Sequence, residues 1–166
     1  MMRRGTSLSA IFVVVFATAL FAQQPVATSG ANPKDHLIIT PEEASFGPAP
    51  DAFPPGAQLA VLDGDPMGKS GNYTVRLKVP DGYVIPPHYH PADELVTVVD
   101  GSFAVGMGEQ FSDSALKTLG VGGFAKMPQG MRHFAKANGA TVVQVSGPAP
   151  FAITYVNPSD DPRNKK

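Results

Sequence analysis

Beyond residue 22, turn-forming residues interrupt this chain so often that an ordinary α-helix has nowhere to form. The sequence carries 17 glycines and 17 prolines, and a proline inside a helix removes a hydrogen bond and clashes with the turn before it. Between the turns lie short apolar runs with the period of a pleated strand. Asn72 to Val79 (NYTVRLKV) shows it best, with Val75, Leu77 and Val79 on one face and Thr74, Arg76 and Lys78 on the other. Such alternation marks one buried and one wet face. About ten such runs, with turn signals about every eight to twelve residues, predict an all-β barrel or sandwich. Disorder is the competing reading, but the Val, Ile and Phe runs are too apolar for it.

In chain order, Asp35 to Thr40 (DHLIIT) is expected to be a first strand. Pro41 to Gly56 holds five prolines and two glycines and is expected to be an extended surface arm. Gln58 to Leu62 and Leu95 to Val99 come next as strands. Asp100-Gly101 is a hairpin signal that should return Ser102 to Met107 antiparallel to the strand before it. Ser112-Asp113-Ser114 can cap one helical turn. Phe124 to Met127, Phe134 to Lys136, Thr141 to Ser146 and Phe151 to Val156 complete the strands, and the polar tail from Asn157 is expected to fray.

With 166 residues and 17.4 kDa there is room for one domain with a sizeable core. A net charge of −1 and the absence of Trp leave no basic or base-stacking surface, which argues against a nucleic-acid partner. The absence of cysteine excludes thiolate ligands, cysteine nucleophiles and iron–sulfur clusters. At the N-terminus, Arg3 and Arg4 precede an apolar stretch from Leu8 to Phe21, the pattern of a secretory signal cleaved after Ala22 or Ala19. That stretch is short against the roughly 20 residues a spanning helix needs, so a retained anchor is the weaker alternative. Residues 1–22 are thus expected to be a signal peptide, 23–34 a flexible leader, 35–157 the β domain and 158–166 a polar tail. The expected location is the periplasm or outside the cell, with no stable membrane anchor.

The chemistry concentrates between Gly82 and Gly101 (GYVIPPHYHPADELVTVVDG). In a strand, residues i and i+2 share a face, so His88 and His90 point one way and Tyr89 the other. Glu94 opens the next apolar run four residues later. Imidazoles and a carboxylate converging on one point are the ligand set of a borderline divalent metal. No G-x-G-x-x-G, phosphate loop or paired-cysteine pattern competes with that reading.

Gly82, His88, His90, Glu94 and Gly101 stand at the fixed spacing of the first motif of the cupin superfamily. Gly122, Pro128, Gly130 and His133 match the second, whose terminal asparagine is replaced by Ala137. The chain therefore resembles a small, exported, metal-binding cupin. The resemblance implies a jelly-roll barrel (a double-stranded β-helix) with His88, His90, Glu94 and His133 turned inward on one divalent transition metal, whether Fe, Mn, Ni, Cu or Zn. It also implies a homodimer. His36, outside both motifs, is expected to play a surface role, and Met107, Met127 and Met131 to pack. Arg132 is turned away from the ligand face by alternation, while Val96, Val98 and Ala135 supply a small apolar wall. No second acid or base is visibly aimed at the site, so catalytic residues stay unassigned. Two functions are compatible with these residues. One is a metal-dependent oxidoreductase, dioxygenase-like, acting on a small organic molecule; the other is a non-catalytic metal- or ligand-binding protein.

Overall fold

The structure is a computed structural model of the chain in which residues 36–165 are described. Contacts divide the chain into two units, Met1–Leu37 and Ile38–Lys166, and the second carries the β structure. The expected signal peptide and leader lie outside the described residues.

Eleven strands form among the described residues: β1 (Gly47–Pro48), β2 (Gln58–Asp63), β3 (Asn72–Val79), β4 (Val84–Tyr89), β5 (Glu94–Asp100), β6 (Phe103–Met107), β7 (Lys117–Leu119), β8 (Phe124–Met127), β9 (His133–Ala137), β10 (Thr141–Pro148) and β11 (Thr154–Tyr155). They make two antiparallel sheets, ordered β1-β2-β3-β10-β5-β8 and β11-β4-β9-β6-β7. The inward residues obey the alternation of each strand. Val75, Leu77 and Val79 of β3, Val96 and Val98 of β5, and Val143 and Val145 of β10 are buried in one core with Ile85, Phe103, Val105 and Ala135 of the second sheet. This is the all-β arrangement expected from the spacing of strands and turns, in the double-sheet jelly-roll form that the resemblance implies.

The Asp100-Gly101 turn forms, with Gly101 at φ +76 and its N–H bonded to Asp100 Oδ1 at 2.9 Å, yet β5 and β6 do not pair. Both edges of β5 are taken, by β10 and β8, so β6 crosses to the second sheet and pairs with β9 and β7. Thr141 holds the crossing, its hydroxyl accepting from Ser102 N at 3.1 Å and directed at Ser102 O at 3.0 Å.

Other expectations are corrected as well. Residues 36–40 form no strand, because β propensity needs a ladder partner to be realised. Of Phe151 to Val156, Thr154–Tyr155 alone pairs, against Tyr89 and His88. The Pro-rich arm does lie at the surface and is fastened there: Tyr83 Oη donates to Pro54 O at 2.6 Å and Tyr155 Oη to Ala52 O at 2.8 Å, with Phe53 buried between them in sequence. The tail does not simply fray. Two 3-10 turns, Pro158–Asp160 and Pro162–Asn164, are capped by Asn157 and Asp161, and Arg163 Nη2 donates to Ile153 O at 3.1 Å. The expected single turn after Ser112 is present as a 3-10 turn, Asp113–Ala115.

Candidate metal centre

His88 lies near the end of β4 and faces His133, the first residue of β9, directly across the ladder. His90 comes two residues after His88, and Glu94 approaches His90 and His133 from the start of β5 in the opposite sheet. All four are buried, exposed by 3 % (His88), 5 % (His90), 8 % (Glu94) and 2 % (His133). Ring centroids are 4.2 Å apart for His88 and His133, 5.0 Å for His88 and His90, and 5.2 Å for His90 and His133. One nitrogen from each imidazole falls within 4.8 Å of the others. Glu94 Oε2 stands 3.4 Å from Nε2 of both His90 and His133.

The other ring nitrogens decide how the site is set. Nδ1 of His88 bonds Pro86 O at 2.7 Å, that of His90 bonds Ala152 O at 2.8 Å, and that of His133 bonds Met131 O at 3.0 Å. A carbonyl only accepts, so each Nδ1 carries the hydrogen and each neutral ring keeps a lone pair on Nε2. This is the arrangement that orients histidines as metal ligands. His90 Nε2 is fully buried and has no hydrogen-bond partner, and 3.4 Å to a carboxylate oxygen is long for a hydrogen bond. A buried polar atom left over in this way asks for something to bind. Two ligands about 2.1 Å from a shared ion lie about 3.0 to 3.4 Å apart at right-angle or tetrahedral geometry, the separation found around Glu94 Oε2. The residues fit a divalent transition metal.

Charge is set by burial and proximity. Burial, helped by repulsion from His133 and His90, pushes His88 down from 6.5 to about 3. Burial also opposes charge on His90, but Glu94 outweighs it and raises His90. Burial alone would raise Glu94; His133 and His90 instead hold it well below the usual carboxylate range. Without metal, the ionised Glu94 therefore favours the protonated form of His90, so protons compete with an ion for that nitrogen.

Stability should accordingly depend on pH. His88 titrates lower in the folded than in the unfolded chain, so between about pH 6.5 and about 3 the unfolded state binds more protons and stability falls with falling pH. Glu94 has the same sign, its contribution being lost below the unfolded carboxylate value near about 4.3. His90 has the opposite sign: its contribution is present below its unfolded value and is lost as pH rises through its folded one. Urea melts of metal-free protein are expected to lose on the order of a few kcal/mol between about pH 6.5 and 4, with the slope reduced in His88→Asn. An equal slope in that variant would contradict the assignment.

The other sequence expectations divide. Arg132 does turn away, its guanidinium lying 4.8 Å over the Tyr89 ring. Met127 is buried, but Met107 and Met131 are exposed rather than packed. Val96 and Ala135 line the cavity beside the histidines, a space of about 30 Å³ that also touches Leu77, Phe103 and Val143, while Val98 packs elsewhere in the core. A larger concavity of about 480 Å³, between the Pro-rich arm and Arg163, includes none of the four site residues. Two contributors to the site gave no signal in the sequence, the Ala152 carbonyl on His90 and the Phe151 ring 5.3 Å from it.

Two antiparallel sheets closing over three converged imidazoles and a carboxylate define a small β-barrel with an interior histidine cluster. A family model described as Cupin matches residues 48–153, and the chain belongs to the cupin superfamily. It is 38% identical over 129 residues to germin-like protein 5-1 of Oryza sativa subsp. japonica, covering 69% of this chain and 56% of that protein. It is 35% identical over 111 residues to germin-like protein 1 of Brassica napus, covering 65% of this chain and 48% of that one. The chain thus spans about half the length of these relatives. Among solved structures, the polyketide cyclase RemF from Streptomyces resistomycificus superposes with a TM-score of 0.63 at 18% identity, over 76% of this chain and 89% of that one. That likeness concerns the fold. No helix among the described residues is long and apolar enough to cross a membrane.

Proposed function

We propose that this cupin holds one divalent transition metal on His88, His90, His133 and Glu94 and uses it to oxidise a small organic molecule with dioxygen. The observation that carries the reading is the set of three imidazoles whose Nδ1 atoms are each committed to a backbone carbonyl, leaving Nε2 free to ligate. When bound, such an ion would supply Lewis-acid and redox chemistry. The chain's own residues orient the donors, offset the ion's charge through Glu94 and keep bulk water out with aliphatic walls. Among the described residues we assign no separate acid or base, in keeping with a reaction that relies on the ion. Export to the periplasm or beyond, read from residues 1–22, belongs to the same proposal.

A second reading, metal holding without turnover, draws support from the cavity. About 30 Å³ takes a water molecule or two and no organic substrate. One experiment separates the two. Protein purified from its native compartment is analysed for metals and then assayed aerobically, with the ion found, against small phenols and organic acids. Oxygen consumption that depends on the metal supports the enzyme; stoichiometric metal with no oxygen uptake supports the binding protein. Metal-free protein that takes up none of the candidate ions would sink both.

A further inference from the structure

Towards the barrel interior the site meets a cavity of about 30 Å³, so little more than water reaches the histidines from that side. On the side of the segment that carries Phe151 the cover is aromatic. Phe151 lies against His90 with centroids 5.3 Å apart and planes 32° apart, and it is only partly buried, so its outer flank meets solvent. Phe53 stacks on it at 5.7 Å and 9°, and Tyr73 meets it edge-on at 5.8 Å and 77°.

The segment that carries this ring is tied down at several points. Ala149 N donates to Gly71 O at 2.9 Å and Phe151 N to Pro66 O at 2.7 Å, while Ile153 O accepts from Arg163 at 3.1 Å. The next residue, Ala152, gives the carbonyl that accepts from His90 Nδ1. His88 and His133 are anchored by carbonyls two residues back in their own segments, whereas the anchor of His90 comes from 62 residues away. One strap therefore both aims His90 and covers it.

We propose that Phe151 is the specificity-determining residue of the site, its ring closing the solvent-side approach and setting the size of molecule that reaches His90 Nε2. As a statement about substrate size this rests on the metal reading above; as a statement about access to the imidazole it does not. While Phe151 stays in place, that approach favours small organic molecules over bulky aromatic rings.

Access is read first without metal. Metal-free protein is treated with diethylpyrocarbonate, which acylates accessible imidazoles, and each histidine is quantified by peptide mass spectrometry, with exposed His36 as reference. Wild type and Phe151→Tyr are expected to protect His90; Phe151→Ala should speed its modification by at least about tenfold through easier local opening. Phe151→Leu keeps apolar contact and carries the test should the alanine variant unfold: a gain selective for His90 over His88 and His133 supports the proposal. Equal gains at all three report general loosening and overturn it, as does an unchanged rate. Size is read next by visible spectroscopy of Co(II)-loaded protein titrated with azide and with 4-nitrocatechol. Phe151→Ala should bind the catechol at least about tenfold more tightly, a change of about 1.4 kcal/mol, with azide little altered; parallel changes in both would overturn the size claim. Wild type that takes up no Co(II) counts against the metal reading, and the acylation result then decides the access claim.

Discussion

Replacing His133 with alanine is expected to weaken metal uptake by at least about 100-fold, because losing a mere outer hydrogen-bond partner of a ligand already costs about 10- to 100-fold. His133 stands directly across the ladder from His88, is aimed by Met131 O and sits 3.4 Å from Glu94 Oε2. Its removal takes away one of three converging nitrogens and leaves Glu94 in contact with His90 alone of the two imidazoles that flank it. Calorimetric titration of metal-free protein with Zn(II) or Co(II) reads the effect, with His36→Ala as the comparison in which uptake is unchanged. Affinity within a few-fold of wild type would remove His133 from the site. Because the carboxylate loses a favourable partner while staying buried, the metal-free variant should also unfold more readily.

Phe134→Ala is expected to cost about 3 to 5 kcal/mol, the range for deleting a buried aromatic side chain. Phe134 is 0% exposed although alternation with His133 points it out of the barrel. Its ring lies over Gly106 of the neighbouring strand, where an added Cβ would collide with it, and against Phe111 at 5.1 Å. The segment that brings Phe111 there is pinned by Asp113, whose carboxylate accepts from Lys136 Nζ at 2.9 Å. A melting temperature lower by roughly 10 °C or more is expected. Gly106→Ala should be damaging for the complementary reason, and the double variant Gly106→Ala/Phe134→Ala should cost less than the two single changes added together. A loss below about 1 kcal/mol for Phe134→Ala would mean that this outer layer is not packed as described.

Where the chain's own period decides the structure, reading residues in order is sufficient. Asn72 to Val79 is a strand with the bounds and faces its alternation predicts, and His88, His90, Glu94 and His133 are buried together. The same local logic fails where two strands compete for one edge. Asp100-Gly101 makes the turn its residues favour, but β5 already has two neighbours, and no property of the turn itself reports that. Residues 36–40 carry strand-forming side chains without a ladder to join. Met107 and Met131 are packing residues by type, and their exposure depends on what the rest of the fold places beside them.

From the residues alone came the faces of the strands and the common side of His88 and His90, since alternation has a period of two and is complete within a few residues. His133 and the full set of four were implied by the resemblance. Tertiary structure decided which ring nitrogen each histidine offers, what covers Phe134 and what stands between His90 and solvent. Those answers depend on groups brought together by closure of the barrel, such as the carbonyl of Ala152, 62 residues from the imidazole it orients. No spacing within either motif encodes such a contact; it exists only once both sheets have folded over the site.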